Sequence, residues 1–259
     1  MKKNFEVDNL QVSVFDKTVD MGEAAAGFVA DKLNDAIEKR GKANLILATG
    51  ASQFPFLEAL KNKAINWKKI TVFHLDEYKG ISDSHPASFR KYLRERILED
   101  VAPARVFYLN GDAADTQQEV DRYAQELEKH PIDVACIGIG ENGHLAFNDP
   151  PVADFNDPKL VKVVELDEAC RNQQLGEGWF PTFEDVPKEA LTLTITAIMS
   201  CKAISCVVPD ARKAEAVFNS LFGEISTKCP GSILRQHPET RLFLDEGSAS
   251  KINQQTIQG

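Results

Sequence analysis

The sequence lacks a cysteine pattern that would build disulfides or hold a structural metal. Its 259 residues include five cysteines, an odd number, and no two of them form a Cys-x-x-Cys pair. Such a count argues against both a disulfide framework and a structural zinc site. Three of them, Cys136, Cys201 and Cys206, lie in or beside apolar runs, so we expect them to be buried as small hydrophobic side chains.

Long apolar runs and an excess of positive charge are also missing. No stretch approaches the length of about 20 apolar residues that spans a bilayer, and residues 1–8 carry lysines without the apolar core of a signal peptide. The net charge is −9 and the isoelectric point is near 5.2, whereas nucleic-acid-binding proteins usually present a basic face. We therefore expect a cytoplasmic protein with no nucleic-acid or membrane partner, in which a few local cations could still bind an anionic small substrate.

What the sequence does contain is an alternation of apolar strands and amphipathic helices. Strands are predicted at 10–15, 43–48, 71–78, 106–109, 134–139, 160–166, 191–196, 203–208 and 242–244. Helices are predicted at 18–40, 55–64, 88–99, around 120–127 and from 210 onward, and residues 171–190 look rich in loops. This order predicts an α/β fold with three layers, α/β/α, around a mostly parallel, doubly wound, Rossmann-like sheet. No linker divides the chain, so we expect one domain over residues 1–259.

Polar residues capable of chemistry follow four of the predicted strands. They lie at residues 49–52, 76–78, 141–149 and 210–213. In open parallel sheets, ligands bind beyond the carboxyl ends of the strands. One site could therefore collect all four segments.

The first segment reads Thr-Gly-Ala-Ser-Gln and lies between a strand and a helix. Backbone N–H groups at a helix start bind anions, phosphate above all, and the small residues Gly50, Ala51 and Ser52 would allow close approach. The Gly-Lys-Ser/Thr ending of a P-loop is absent. An ordinary N-cap, with Ser52 capping the helix, would explain the same pattern.

The second segment places two carboxylates, Asp76 and Glu77, at the end of a strand. Adjacent strand residues point to opposite faces, so at most one of them would enter a given site. A carboxylate is a suitable general base for a proton beside a carbonyl or iminium group. The alternative is a helix cap or a salt bridge.

The third segment fits the dinucleotide pattern Gly-x-Gly-x-x-Gly at residues 138–143. A dinucleotide fold needs a helix directly after that turn, and the Asp-Pro-Pro at 149–151 would stop any helix early. We therefore expect no NAD or FAD site, and we expect the glycines to permit a tight turn with positive φ.

His144 follows that turn, with Asn142 and Asp149 nearby. A carboxylate can orient an imidazole and raise its pKa, which would make this a place for proton transfer. The alternative is a structural histidine, and His144 with Asp149 gives too few ligands for a metal site. The other four histidines, at positions 74, 85, 130 and 237, are assigned no chemical role.

Arg171 and Lys213 are candidate phosphate ligands. Lys213 lies in the first turn of a helix, where a cation gains nothing from the helix dipole. A lysine at this position is favourable if an anion binds beside it. The alternative is a solvated lysine at the surface.

Together these motifs resemble the glucosamine-6-phosphate deaminase/isomerase family, which shares its fold with the 6-phosphogluconolactonases. The resemblance rests on residues 47–52, 73–78, 138–150 and 190–195, with further likeness at 212–214 and 236–238. The motifs keep the family's order from about residue 20 to about residue 245. Members of this family open the ring of an amino-sugar phosphate, isomerise the aldose to a ketose and release ammonia, without a metal or cofactor.

The resemblance assigns roles to the candidate residues. Asp76 would move a proton between C2 and C1, and His144 would open the ring at O5, oriented by Asn142 and Asp149. The phosphate would be bound by the turn at residues 50–52 together with Arg171 and Lys213. The resemblance implies glucosamine 6-phosphate or galactosamine 6-phosphate as substrate, with a ketohexose 6-phosphate as product. It leaves open the epimer and whether the protein forms a homo-oligomer, because the family includes monomers and hexamers.

Three features depart from the family pattern. Asn142 replaces the aspartate of many members and can orient His144 without sharing its proton. Asp149 is one methylene shorter than the glutamate of most deaminases, and a displacement of that size affects a catalytic hydrogen bond. The segment after Pro151 lacks the serine pair of members activated by N-acetylglucosamine 6-phosphate, so we predict no such activation.

Two other functions compete with the deaminase. One is lactone hydrolysis, as in 6-phosphogluconolactonases, and the other is a non-catalytic module that binds sugar phosphates. Residues 76–78 and 147–150 favour the deaminase over the lactonase. The non-catalytic module is disfavoured because the chain shows no helix-turn-helix segment, and because a sensor needs neither Asp76 nor His144.

Overall fold

The computed structural model of the protein describes residues 3–176 and 178–252. Its strands are β1 (Lys3–Val7), β2 (Leu10–Phe15), β3 (Ala43–Leu47), β4 (Ile70–His74), β5 (Asp76–Tyr78), β6 (Arg105–Val106), β7 (Val134–Ile137), β8 (Val161–Glu165), β9 (Glu189–Leu193), β10 (Ala203–Val208) and β11 (Thr240–Asp245). Its α-helices are α1 (Thr18–Arg40), α2 (Phe54–Lys61), α3 (Phe89–Leu93), α4 (Glu99–Val101), α5 (Thr116–Lys129), α6 (Glu168–Gly176), α7 (Ile195–Met199) and α8 (Ala214–Phe222). A π-helical segment, Arg94–Leu98, joins α3 to α4, and 3₁₀ turns at Ala51–Gln53 and Ala211–Lys213 precede α2 and α8.

Eight strands form a central sheet in the order β1–β2–β11–β10–β7–β3–β4–β6. All neighbours are parallel except the edge pair β1 and β2. The chain adds β4 and β6 on one side of β3 and then returns to place β7 on the other side. The sheet is therefore doubly wound, as predicted, with its switch point between β3 and β7, where such sheets bind ligands.

Helices cover both faces of this sheet. On β10, Ile204 and Cys206 point into a core shared with α5, α7 and α8, whereas Ala203 and Val207 point into a core shared with α1 and α2. Burial on both faces explains why β10 is a continuous apolar run. The three-layer α/β/α prediction is confirmed. That residues 1–259 form one domain stays a prediction.

The predicted strand at 71–78 is two strands in two different sheets. β4 ends at His74, and β5 pairs antiparallel with β9, which pairs with β8 in a small three-stranded sheet. Hydrogen bonds at the break turn the chain out of the central sheet. His74 Nδ1 lies 2.9 Å from the carbonyl oxygen of Asp76, and His74 Nε2 accepts from the N–H of Leu109 at 2.9 Å.

Two further predictions near the small sheet were wrong. The predicted loop-rich stretch at 171–190 contains most of α6, and β9 ends at Leu193 although the alternation continues to residue 196. Thr194 ends the strand because its hydroxyl accepts from the N–H of Ala197 and caps α7. The sequence pattern also missed β1 at the sheet edge.

The predicted burial of three cysteines is confirmed. Cys136, Cys201 and Cys206 are buried, and all five thiols are free. Across residues 3–176 and 178–252, no helix is long and apolar enough to cross a membrane.

Candidate active site

A cavity of about 600 Å³ opens at the carboxyl ends of the central strands. All four predicted segments contribute to its wall: residues 49–52 after β3, Asp76 of β5, Gly138, Gly140 and His144 after β7, and Asp210, Arg212 and Lys213 after β10. The expectation that one site collects these strand ends therefore agrees with the structure. The cavity lies at the switch point because the loops after β3 and β7 leave the sheet side by side there.

The loop after β7 carries His144 into the cavity wall. Gly143 has the positive φ that was expected, +87°, whereas Gly140 is needed for a different reason. A Cβ on Gly140 would lie 2.1 Å from the imidazole ring of His144, so only glycine lets the ring pack across this turn. Residues 138–160 form no helix, which agrees with the absence of a dinucleotide turn.

His144 and Asp149 form a hydrogen-bonded pair. His144 Nδ1 lies 2.9 Å from Asp149 Oδ1, and both side chains are largely buried. Burial alone would raise the pKa of Asp149, but the hydrogen bond and charge of His144 and the hydrogen bond from Asn142 lower it overall. An ionised Asp149 accepts a hydrogen bond from Nδ1–H of His144, which leaves Nε2 of His144 as the nitrogen for proton exchange with a substrate.

Asn142 completes this arrangement by using both ends of its amide. Its Nδ2 donates to Asp149 Oδ1 at 2.7 Å, and its Oδ1 accepts from the backbone N–H of His144 at 3.0 Å. The non-titrating asparagine thus holds both partners in place. Asp149 reaches His144 at ordinary hydrogen-bond distance despite being shorter than the glutamate found in most of the resembled deaminases.

Asp76 and Glu77 face opposite sides of β5, as the strand geometry predicts. Asp76 lines the cavity, and burial raises its pKa to about 8, with the nearby charge of Glu77 adding to the effect. Glu77 is fully buried on the other side, where it accepts from the hydroxyl of Ser88 at 2.8 Å and from Arg90 Nε at 3.1 Å. The salt-bridge alternative therefore holds for Glu77, and Asp76 is left as the candidate base.

The turn at residues 50–52 also lines the cavity, and it leads into the 3₁₀ turn Ala51–Gln53. Ser52 makes no capping hydrogen bond to α2, so the N-cap alternative does not describe this serine. Its hydroxyl accepts from Gln53 Nε2 at 3.2 Å, which leaves its own hydrogen available to an anion. Gly50 has φ of +96°, a conformation that favours glycine.

Lys213 is a cation of the cavity wall rather than a solvated surface lysine. Its residue is only 9% exposed, and its Nζ lies 3.9 Å from Glu141 Oε1. Glu141 also lies 3.6 Å from the guanidinium of Arg212. Two cations, Arg212 and Lys213, therefore flank Glu141 here, and Arg212 also pairs with Asp210 at 3.0 Å.

Arg171 is placed differently from the prediction. Its guanidinium donates to the carbonyl oxygens of Phe183 at 2.7 Å and Val186 at 2.9 Å, and it lies over the ring of Phe183. It is not among the residues that line the cavity. Nε and Nη2 donate to backbone oxygens outside the cavity wall, so the structure does not place Arg171 with the other candidate phosphate ligands.

Several wall residues were missed at the sequence level, notably Gln173 and Gln174 of α6 and Asp245 at the end of β11. The buried face of α6 consists of Cys170, Arg171 and Gln174, two of them polar, so apolar periodicity gave no signal for the helix. Among the described residues, no group of three or more His, Cys, Asp or Glu side chains is arranged to hold a metal ion.

A family model described as glucosamine-6-phosphate isomerases/6-phosphogluconolactonase matches residues 16–243. The glucosamine-6-phosphate deaminase of Exiguobacterium sibiricum is 36% identical over 207 residues, which cover 80% of this chain and 80% of that protein. The glucosamine-6-phosphate deaminase of Listeria monocytogenes is 34% identical over 225 residues, 85% of this chain and 94% of that protein.

Solved structures give a consistent result. A monomeric glucosamine-6-phosphate deaminase superposes with a TM-score of 0.83 at 32% identity, over 92% of this chain and 98% of that one. A 6-phosphogluconolactonase from Shewanella baltica shares the fold, with a TM-score of 0.75 at 20% identity over 94% of this chain and 98% of that one. The resemblance seen in the motifs is confirmed, and the chain belongs to the glucosamine-6-phosphate isomerase/6-phosphogluconolactonase family.

Proposed function

We propose that the protein converts glucosamine 6-phosphate, or its epimer galactosamine 6-phosphate, to a ketohexose 6-phosphate and ammonia. The observation that carries the proposal is one cavity lined by His144, which is hydrogen-bonded to Asp149, and separately by the buried carboxyl group of Asp76. Relatives that are 36% and 34% identical are named glucosamine-6-phosphate deaminase. Two separate proton-transfer groups match a reaction with two separate proton transfers.

Ring opening is assigned to His144. The neutral imidazole takes the proton of the anomeric hydroxyl at Nε2 and returns it to the ring oxygen, O5, as the C1–O5 bond breaks. Asp149 stabilises the transient imidazolium through the 2.9 Å hydrogen bond at Nδ1. Asn142 keeps the carboxylate aligned through its 2.7 Å bond to the same oxygen.

Isomerisation is assigned to Asp76. Its carboxylate removes the proton from C2 of the open-chain aldehyde, giving an enolamine, and returns the proton to C1. The resulting C2 iminium takes up one water and releases ammonia, which leaves the ketose. A pKa raised to about 8 makes Asp76 a stronger base than an ordinary carboxylate, which suits removal of a proton from carbon.

The phosphate is assigned to the turn at Gly50, Ala51 and Ser52 together with Lys213. The free hydroxyl hydrogen of Ser52 and the buried ammonium of Lys213 both suit a dianion. Arg171 is left out of this assignment because its guanidinium is engaged by Phe183 and Val186.

Ammonia release from a panel of sugars tests the proposal. The panel contains glucosamine 6-phosphate, galactosamine 6-phosphate and their N-acetyl forms, with hydrolysis of 6-phosphogluconolactone measured in parallel. Asp76→Asn should lose turnover while inorganic phosphate still binds, and Asp83→Asn, at an exposed site, is the matched control. Absence of ammonia from every amino sugar would overturn the proposal, and lactone hydrolysis in its place would establish the alternative function.

Three finer expectations remain proposals. We expect no activation by N-acetylglucosamine 6-phosphate, and addition of this ligand to an assay should leave KM unchanged. A cytoplasmic location is supported by the five free thiols. The oligomeric state is left open, and one relative of known structure is a monomeric deaminase.

A further inference from the structure

Helix α6 contributes a buried amide to the cavity that no step of the proposed chemistry uses. Gln174 lines the cavity and is only 7% exposed. Its neighbours on the buried face of the helix are held elsewhere, since Cys170 packs in the core around Tyr78 and Arg171 donates to Phe183 and Val186. Gln174 is thus the polar side chain of this face that reaches the cavity.

Tyr78 contacts one end of that amide. The Tyr78 hydroxyl donates to Gln174 Oε1 at 2.5 Å. The tyrosine ring is fully buried and packs against Phe147 and Phe180, with ring centroids 5.3 and 5.2 Å away. The hydroxyl of Tyr78 thus contacts the oxygen end of the amide, and the amide nitrogen lies at the other end.

This orientation leaves the Gln174 amide nitrogen with two donor hydrogens. No acceptor contacts Gln174 Nε2 among residues 3–176 and 178–252. Gln174 lines the cavity, so a ligand oxygen there can accept from this amide nitrogen and gain a hydrogen bond. An oxygen of a bound sugar is such an acceptor.

The position of Tyr78 indicates which end of the substrate Gln174 would contact. Asp76 and Tyr78 are two residues apart on β5, so their side chains leave the strand on the same face. Phe89 and Phe147, which contact the Tyr78 ring, also line the cavity. Gln174 therefore belongs to the part of the wall that holds the base.

We propose that Gln174 determines specificity by donating its amide N–H to a hydroxyl oxygen on the carbon chain of the sugar, near the reacting carbons. Tyr78 is a positioning residue that acts through Gln174. The inference rests on the proposed function, because it assumes that Asp76 marks the reacting end of the substrate.

A double-mutant cycle tests both halves of the proposal. Gln174→Ala should lower kcat/KM for the amino-sugar phosphate by about tenfold, the cost of one lost hydrogen bond to substrate. Tyr78→Phe should lower kcat/KM by a smaller factor, and it should have no effect in the Gln174→Ala background, because residues that act through one another are not additive. Asn172→Ala, at an exposed position of the same helix, is the matched control.

Two further measurements separate recognition from structure. Gln174→Glu keeps an oxygen for Tyr78 but loses the donor, so its kcat/KM should fall as far as that of Gln174→Ala while its Tm stays close to wild type. The inhibition constant of inorganic phosphate should be unchanged in both variants, because phosphate occupies the Ser52 and Lys213 end.

Several outcomes would overturn the proposal. They are a kcat/KM within twofold of wild type for Gln174→Glu, independent effects of Tyr78→Phe and Gln174→Ala, or an equal loss of phosphate binding. Wild-type protein that releases no ammonia would instead refute the proposed function, so the two failures are distinguishable.

Discussion

At the scale of single residues, the proposed ring opening depends on whether the carboxylate of Asp149 can contact His144. Sequence comparison with the resembled family raised the concern that aspartate is too short for its role. The structure answers it geometrically, because the backbone brings Asp149 Oδ1 to 2.9 Å from His144 and 2.7 Å from Asn142. In this loop an aspartate is therefore long enough to contact both partners.

This fit predicts that the residue typical of the family is the wrong one here. In Asp149→Glu, the added methylene displaces the carboxylate by about 1.5 Å, and misplacement on this scale can cost two orders of magnitude in rate. We expect kcat for ammonia release to fall by about tenfold or more, with KM little changed, because ring opening is impaired and phosphate binding is not. Steady-state kinetics beside the exposed-site control Asp154→Glu would check this, and equal or faster turnover by Asp149→Glu would contradict it.

At the scale of elements, the break between β4 and β5 sets the position of the base. Tyr123 of α5 reaches into this break, where its hydroxyl accepts from the N–H of His74 at 2.8 Å and donates to the carbonyl oxygen of His74 at 2.9 Å. His74 in turn bonds the backbone of Asp76 and of Leu109. The central sheet is thereby tied to the small sheet at His74, two residues before Asp76.

Removal of the Tyr123 hydroxyl should destabilise the protein, because this hydroxyl bonds the backbone of His74 at the break between β4 and β5. Tyr123→Phe leaves the buried N–H of His74 without an acceptor, which costs about 1–3 kcal/mol. Tyr108→Phe is the matched control, since Tyr108 makes no hydroxyl hydrogen bond among the described residues. Urea denaturation of the two variants would measure the difference, and an equal midpoint for both would show that the break does not depend on Tyr123.

At the scale of the whole molecule, two buried groups oppose each other in the pH dependence of stability. Burial lowers the pKa of His74 from 6.5 to about 4, and burial with the charge of Glu77 raises the pKa of Asp76 from 3.8 to about 8. Between pH 4 and 6.5, His74 is protonated only in the unfolded chain and Asp76 only in the folded protein. The two groups therefore have opposite effects on how the free energy of unfolding changes with pH, and these effects cancel. Between pH 6.5 and 8, Asp76 is the one of these two groups whose protonation differs between the folded and unfolded states. It lowers the free energy of unfolding as pH rises.

Asp76→Asn should reveal the contribution of His74. In wild-type protein, Asp76 lowers the free energy of unfolding by about 2 kcal/mol from pH 6.5 to 8. In the variant this loss should disappear, and the free energy of unfolding should instead rise with pH by about 3 kcal/mol between pH 4 and 6.5. Urea denaturation at pH 4.5, 6.5 and 8 would measure both curves, and parallel curves would refute the buried state of the Asp76 carboxyl group.

The sequence by itself determined the fold class, the bounds of α1 and the strand ends that supply Asp76, His144 and Lys213. These follow from apolar periodicity, which each segment carries locally, and from the rule that parallel strands present their carboxyl ends at one edge of the sheet. Family motifs supplied the roles of these residues.

Tertiary structure alone decided where β4 stops, that α6 forms, and that Gln174 reaches the cavity while Arg171 does not. The break after β4 depends on Leu109 and Tyr123, which are 35 and 49 residues from His74 along the chain. The placement of α6 depends on Tyr78, which is 96 residues from Gln174. Local periodicity carries no record of such partners, because a hydrogen bond between distant segments forms only after the chain has folded.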